Sequence, residues 1–283
     1  MLRYTYQMNK LDTKIFDGRA IRNQILDELK SKISSSSHVP VLAVFLVGDD
    51  PVSTNYVAIK QKIAEKLGIQ VRLFHFPEYV SEKEIIDTII DLNNRPMISG
   101  IMVQIPLPKG IDRDNIIRTI DPAKDVDGLR YCLGLESGFL PPVVLAIEKA
   151  MAGAGANLET MNTLIIGQGF LVGNPLVRYL HNKYEKVRKL TILSKPVDNL
   201  TAITTKADII ISAVGKAGLI GGNMIKAGAI LIDAGTSEIG GELKGDIDQS
   251  AYDKAAFITP VPGGIGPVTV AMLMQNLLEN PIG

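Results

Sequence analysis

Thr163-Leu164-Ile165-Ile166-Gly167-Gln168-Gly169-Phe170-Leu171-Val172-Gly173 is the stretch on which the fold turns. A short aliphatic run is followed at once by a glycine-rich turn, then by helical spacing that reaches about Leu180. Glycines at such a turn allow a tight bend and let amide N–H groups approach a pyrophosphate at the helix N-terminus. The spacing is G-x-G-x-x-x-G, one residue longer than the usual dinucleotide fingerprint, and purely structural glycines at a strand-to-helix turn look the same. Pro175, just inside the helix, suits a first turn. Downstream, residues 190–193, 208–211 and 229–232 read as three more short buried strands. Upstream, strands over Val41–Val47, 71–76 and Gly100–Val103 alternate with helical patterns over about 53–67 and 81–92. Strands apolar on both faces, separated by helices, predict parallel sheets covered on each side. The expected fold class is therefore α/β in two domains. Leu140-Pro141-Pro142 and a helix through about Met151 lie between the halves as a hinge element, and Ser34–Ser37 reads as a surface loop.

The chain's 283 residues agree with about two domains. Hydrophobic residues make up 46% and charged residues 21%, the balance of a globular protein with ample core. Thirty basic side chains against thirty acidic ones leave no net charge, which argues against a nucleic-acid or anionic-membrane partner. One cysteine, Cys132, excludes an internal disulfide and a cysteine zinc cage. His38, His75 and His181 are too scattered to suggest a metal site. No apolar run approaches the ~20 residues of a membrane span, and residues 1–6 lack a secretory apolar region, so a cytoplasmic location is expected.

Several side chains carry candidate chemistry. After the strand 190–193, where an acidic residue would meet an NAD ribose, stand Ser194 and Lys195. A hydroxyl and an ammonium suit the 2′-phosphate of NADP, although a solvated loop lysine reads the same way. Ala213 and Gly215, then Gly235 and Thr236, follow later strands, whose carboxyl ends border the ligand crevice of open α/β sheets. In Ser53-x-x-Tyr56-x-x-x-Lys60 the phenol and the amine share one helix face. An amine in such a place can shuttle protons near neutrality, because desolvation and neighbouring cations both disfavour its charged form. The alternative is an amphipathic helix whose Lys60 reaches into water. Gln104 precedes Ile105-Pro106-Leu107-Pro108 at a strand's C-terminal mouth, and Asp125 and Asp127 lie in a turn-rich segment.

Together these stretches resemble the bifunctional methylenetetrahydrofolate dehydrogenase/methenyltetrahydrofolate cyclohydrolase family. The matching stretches are 47–53, Tyr56-x-x-x-Lys60, 103–108, Lys124-Asp125-Val126-Asp127-Gly128 and the twelve residues 258–269. The likeness runs from about Phe16 to Asn276. It implies a catalytic, folate-binding domain over 1–141, completed by a C-terminal helix over 267–283. It further implies a Rossmann-like NAD(P)-binding domain over 142–266, facing the first across a cleft. The implied reactions are oxidation of 5,10-methylenetetrahydrofolate with NADP and hydrolysis of the methenyl product to 10-formyltetrahydrofolate. By position, Lys60 is the proton-transfer group of hydrolysis, Tyr56 packs on the substrate ring and Gln104 orients Lys60. Asp127 anchors the pterin, and Pro262, Gly263 and Gly264 line the folate pocket. Gly167, Gln168, Gly169 and Gly173 belong to the cofactor turn, with Ser194, Lys195, Ala213, Gly215, Gly235 and Thr236 as further cofactor contacts. A homodimer is implied as well.

The chain departs from the family in places. An Asn expected after Asp127-Gly128 is missing from Leu129-Arg130-Tyr131-Cys132, and Leu140-Pro141-Pro142-Val143 replaces a P-C-T-P turn near the nicotinamide. Gln168 stands where an Arg is usual and Gly169 where a Ser is usual, which leaves NAD open as the alternative cofactor. Rival readings are a cyclohydrolase with weakened dehydrogenase activity and a non-catalytic folate- or nucleotide-binding paralogue. A short-chain-dehydrogenase-like enzyme would carry its glycine turn before its Tyr–Lys pair, the reverse of the order here.

Overall fold

The computed structural model describes residues 13–35, 38–184, 186–187 and 189–279. In chain order the elements are β1 (Lys14–Ile15), α1 (Gly18–Ser35), β2 (Val41–Val47), α2 (Pro51–Leu67), β3 (Gln70–Phe76), α3 (Glu82–Asn93) and β4 (Gly100–Val103). Next come α4 (Arg113–Thr119), α5 (Leu129–Leu133), α6 (Pro142–Gly153), β5 (Asn162–Ile166), α7 (Gly173–Lys183), β6 (Lys189–Leu193) and α8 (Leu200–Thr204). The remainder are β7 (Ile209–Ser212), β8 (Ile230–Asp233), β9 (Ser237–Ile239), β10 (Glu242–Lys244), β11 (Phe257–Ile258) and α9 (Ile265–Leu278). The chain divides into two units. Among the described residues, one holds 19–146 and 267–279; the other holds 147–266 and 13–18.

The first unit is built on a parallel sheet in the order β3-β2-β4. Every residue of β2 is buried, as a central strand covered on both faces requires. Phe45 is fully buried and its ring stacks on Phe74 at 5.1 Å between centroids. Asp125 pairs in parallel with Ile101, so the 124–126 segment runs alongside β4. Asn276 on α9 donates to Val126 O and Leu140 O, both at 2.9 Å, tying the C-terminal helix to that segment. A Cβ on Gly100 would stand 2.6 Å from Val126 Cγ1 and 2.7 Å from Leu277 Cδ1, so glycine is what lets β4 approach them.

The second unit carries a six-stranded sheet in the order β1-β11-β8-β7-β5-β6, all neighbours parallel. β5 lies between β6 and β7, so the chain moves to one edge and then crosses back. That reversal is a topological switch point, where the carboxyl ends of neighbouring strands leave a crevice. The two-unit α/β architecture follows the expectation, and the seven longer strands lie within one residue of their predicted positions.

Shorter elements differ from the sequence reading. The two-residue strands β1 and β11 are too short to show a period; β1 pairs with β11, so the described residues 13–18 group with the second sheet. The β9–β10 hairpin, largely exposed, has no apolar alternation to announce it. Ser34 and Ser35 close α1 rather than forming a loop, their hydroxyls bonding back to Lys30 O and Lys32 O at 2.9 and 2.8 Å. Ser36 and Ser37 lie outside the described residues.

Candidate active site

In the first unit the candidate residues gather at the carboxyl end of the parallel sheet. Asp50 caps α2 by accepting from Ser53 N at 2.8 Å, and Pro51 occupies its first turn. Ser53, Val57, Ala64 and Leu67 are the buried residues of α2. Their spacings of four, seven and three residues define the stripe that packs on the protein interior. Lys60 falls between Val57 and Ala64 in that stripe, where an apolar side chain would ordinarily stand. Its amine donates to Gln104 Oε1 at 3.2 Å and approaches the sulfur of fully buried Met102 at 3.3 Å. Lys60 is thus half-buried and engaged, in contrast to an amine reaching freely into water.

Gln104 is fixed at both ends. Its backbone N–H donates to Phe45 O at 2.9 Å and its side-chain amide donates to Ile105 O at 2.9 Å. That second bond orients the amide so that Oε1 faces Lys60. Tyr56 lies one turn before Lys60 on the same helix and is half-buried. The isolated Ile101–Asp125 bridge sets Asp125 beside β4, and Asp127 lies in the turn that follows, closed by Gly128 N donating to Asp125 O at 2.9 Å. Lys60 and Gln104 therefore meet at one end of this sheet, with Tyr56 one turn away on α2 and Asp127 just beyond the segment that runs beside β4.

The two carboxylates of the 125–127 segment have different environments. Asp125 is fully buried and accepts from Leu129 N at 3.0 Å, Arg130 N at 2.7 Å and Ser137 Oγ at 3.2 Å. Burial pushes its carboxyl up to about 7 against those hydrogen bonds. Asp127 is half-buried and has no side-chain partner among the described residues, so its oxygens are open to a ligand. Lys124 turns inward and donates to Leu92 O, Asn93 O and Arg95 O at 2.8–2.9 Å, closing the C-terminal end of α3. The segment that departs from the family pattern is held by its own bonds. Arg130 donates to Glu136 O, Arg118 O and Ile120 O at 2.8–3.1 Å.

In the second unit the glycine turn splits into two kinds of position. Gly167 has φ +93°, and a Cβ there would lie 2.4 Å from Ala213 O; one on Gly173 would lie 2.0 Å from Gly167 O. Both glycines are demanded by packing. Around Gly169 no atom stands within 4 Å of a built Cβ, so the turn is open there. Gly167, Ser194 and Lys195 line a cavity of about 250 Å³ with walls from Leu193, Pro196 and Leu200. Apolar walls beside a hydroxyl and an ammonium match an adenosine carrying a phosphate, so the donors fit an NAD(P) group. Gln168, Gly169 and Gly173 do not line this cavity.

Two buried carboxylates hold the loops beyond β7 and β8. Asp246, fully buried, accepts from Ser212 Oγ at 2.7 Å, Val214 N at 2.8 Å and Lys216 N at 2.7 Å. Asp233 accepts from Gly235 N at 3.1 Å and Ile247 N at 2.9 Å. Burial pushes Asp233 up to about 7, with the nearby charge of Asp246 acting in the same direction. A Cβ on Gly235 would come 2.1 Å from the Asp246 carboxylate, which gives that glycine a packing reason. Gly215, at φ +72°, accepts from Ser237 Oγ at 2.8 Å, so the loops carrying Ala213, Gly215, Gly235 and Thr236 are joined. Pro262, Gly263 and Gly264 follow β11 in this unit, and a Cβ on Gly18 would lie 1.8 Å from Gly264 O.

Sequence reading missed Met102, Asp233, Asp246 and the structural part of Lys124. Lys124 stands inside a motif of the sequence, but its partners at and just beyond the end of α3 lie about thirty residues away and leave no local trace.

A lysine–amide pair at the mouth of one parallel sheet, with a dinucleotide-type turn on another, defines a two-unit α/β enzyme. The catalytic-domain model for tetrahydrofolate dehydrogenase/cyclohydrolase matches residues 16–127, and the NAD(P)-binding-domain model matches residues 141–281. A bifunctional protein FolD from Nitratiruptor sp. is 39% identical over 277 residues, covering 94% of this chain and 97% of its own. The bifunctional FolD structure from Campylobacter jejuni is similar at a TM-score of 0.87 and 36% identity, with 95% and 98% of the two chains covered. The Trypanosoma brucei FolD complexed with NADP and inhibitor gives a TM-score of 0.86 and 30% identity, covering 94% and 96%. The chain belongs to the tetrahydrofolate dehydrogenase/cyclohydrolase family.

Proposed function

We propose that this chain oxidises 5,10-methylenetetrahydrofolate and hydrolyses the methenyl product to 10-formyltetrahydrofolate, using the Lys60–Gln104 pair for the second step. The hydrogen bond from Lys60 Nζ to Gln104 Oε1, on the inward stripe of α2, is the observation that carries this reading. Hydrolysis needs a group that takes a proton from attacking water and later returns one to nitrogen. Lys60 is held for that task, and Gln104 orients its amine without adding a charge. Tyr56 stacks on the substrate ring, and Asp127 supplies an open carboxylate for the pterin's N–H donors. NADP, when bound, accepts the hydride. Ser194 and Lys195 bind its phosphate, while Gly169 leaves room for the close approach of a ligand.

The folate-binding half is proposed over 1–141 with the helix from Pro267, and the nucleotide-binding half over 142–266; a division of the chain into two units with a break between Ala146 and Ile147 supports two such halves. The protein acts in the cytoplasm as a homodimer. Among the described residues no helix is long and apolar enough to cross a membrane. Paired spectrophotometric assays test the reading. Methenyltetrahydrofolate should decay faster with the protein than without it, and methylenetetrahydrofolate should reduce NADP. Binding without either change would make the chain a paralogue without turnover; decay alone would make it a cyclohydrolase.

A further inference from the structure

The turn after β5 carries an uncharged amide at Gln168, and Gln168 does not line the adenosine-sized cavity. Two lysines do line it: Lys195 after β6, and Lys216 on the loop after β7. Both residues are exposed, and neither has an ion-pair partner among the described residues. Two lysines lining one apolar-walled cavity bring two positive charges to the same place, a setting that favours an anion there. The backbone of Lys216 is fixed, because its N–H donates to buried Asp246 at 2.7 Å while Val214 N bonds the other oxygen of the same carboxylate. A side chain rooted on a pinned main chain loses less freedom when it engages a ligand than one on a loose loop.

We infer that Lys216 is a specificity-determining residue that pairs with Lys195 across this cavity to bind the 2′-phosphate of NADP, replacing the charge that Gln168 does not provide. The inference rests on the NAD(P) reading above and deepens it. A phosphate dianion takes charge-assisted hydrogen bonds from both amines, whereas the 2′-hydroxyl of NAD has no charge to offer them. Lys216 therefore contributes to the difference between the two cofactors and little to the binding they share.

Direct binding decides the matter without reference to turnover. Titration of wild-type, Lys216→Ala and Lys216→Arg protein with NADPH, NADH, 2′,5′-ADP and 5′-ADP gives four affinities for each. Lys216→Ala should weaken NADPH and 2′,5′-ADP by about ten- to a hundredfold, the range of one charge-assisted contact. NADH and 5′-ADP should change less than about twofold, and Lys216→Arg should keep most of the NADPH affinity. The salt dependence of NADPH binding should flatten in the Ala variant. Equal weakening of NADPH and NADH, or no change in either, would overturn the role of Lys216 while leaving the nucleotide site in place. Failure of wild-type protein to bind any of the four would overturn the nucleotide reading itself, and the proposal with it.

Discussion

The two units prepare their sites by opposite means. In the folate-binding unit the chemistry is a side chain: Lys60 displaces an apolar residue from the inward stripe of α2 and is held by Gln104. In the nucleotide-binding unit the candidate groups, Ser194, Lys195 and Lys216, stand exposed at the ends of strands, and the loops after β7 and β8 are held from beneath by Asp246 and Asp233. Buried charge occurs in both. Lys124 and Asp125 close helix ends in the first unit, while the carboxylates of the second brace the loops after β7 and β8. The lesson is that a fully buried, hydrogen-bonded ionisable group in this fold marks a brace, and the candidate functional groups are the half-buried or exposed ones nearby.

That contrast can be broken by removing the braces. Asp246→Ala leaves two backbone N–H groups and the Ser212 hydroxyl without a buried acceptor, and should cost about 3–5 kcal/mol of stability. Urea denaturation measures this; a cost typical of a surface site would show that the loop is not held by the carboxylate. Lys124→Met in the other unit strips three carbonyls of their donor and should cost about 2–4 kcal/mol, with α3 showing the largest gain in amide exchange.

The pH dependence sharpens the same contrast. Asp125 is raised to about 7 by burial, so the folded state binds its proton more tightly than the unfolded chain does. Its contribution is fully present below about pH 4 and is lost as pH rises through about 7. Asp125→Asn should therefore flatten the fall in stability between about pH 4 and 8, read from urea midpoints, and an unchanged slope would contradict the assignment. The smallest effect belongs to the glycine turn. Gly169→Ala meets no atom within 4 Å and should shift stability by less than about 0.5 kcal/mol, whereas Gly173→Ala drives a methyl group into Gly167 O.

Much of this was legible in the sequence, because long apolar strands and helices announce themselves by period. Val41–Val47 and its neighbours were readable for that reason, and so were Tyr56 and Lys60, one turn apart on a single helix. β1, β11 and the β9–β10 hairpin were not, being two or three residues long and defined by partners far along the chain. Asp246 was invisible for a related cause. It meets Ser212, Val214 and Lys216 across about thirty residues, and an aspartate after a glycine reads as an ordinary turn. Asp125 and Asp127 were visible together; their different environments decide which is a brace and which is open, and no pattern encodes that.

The central claim is that Lys60 and Gln104 act as one device in hydrolysis. A double-mutant cycle on methenyltetrahydrofolate decay, with Lys60→Met, Gln104→Ala and the two combined, measures it most directly. Lys60→Met should lose about 10²–10⁴-fold in hydrolysis, the usual worth of a positioned proton-transfer group, while NADP reduction in the same preparation persists. The double variant should be no slower than Lys60→Met alone. Normal hydrolysis by Lys60→Met, or losses that multiply across the two substitutions, would contradict the account.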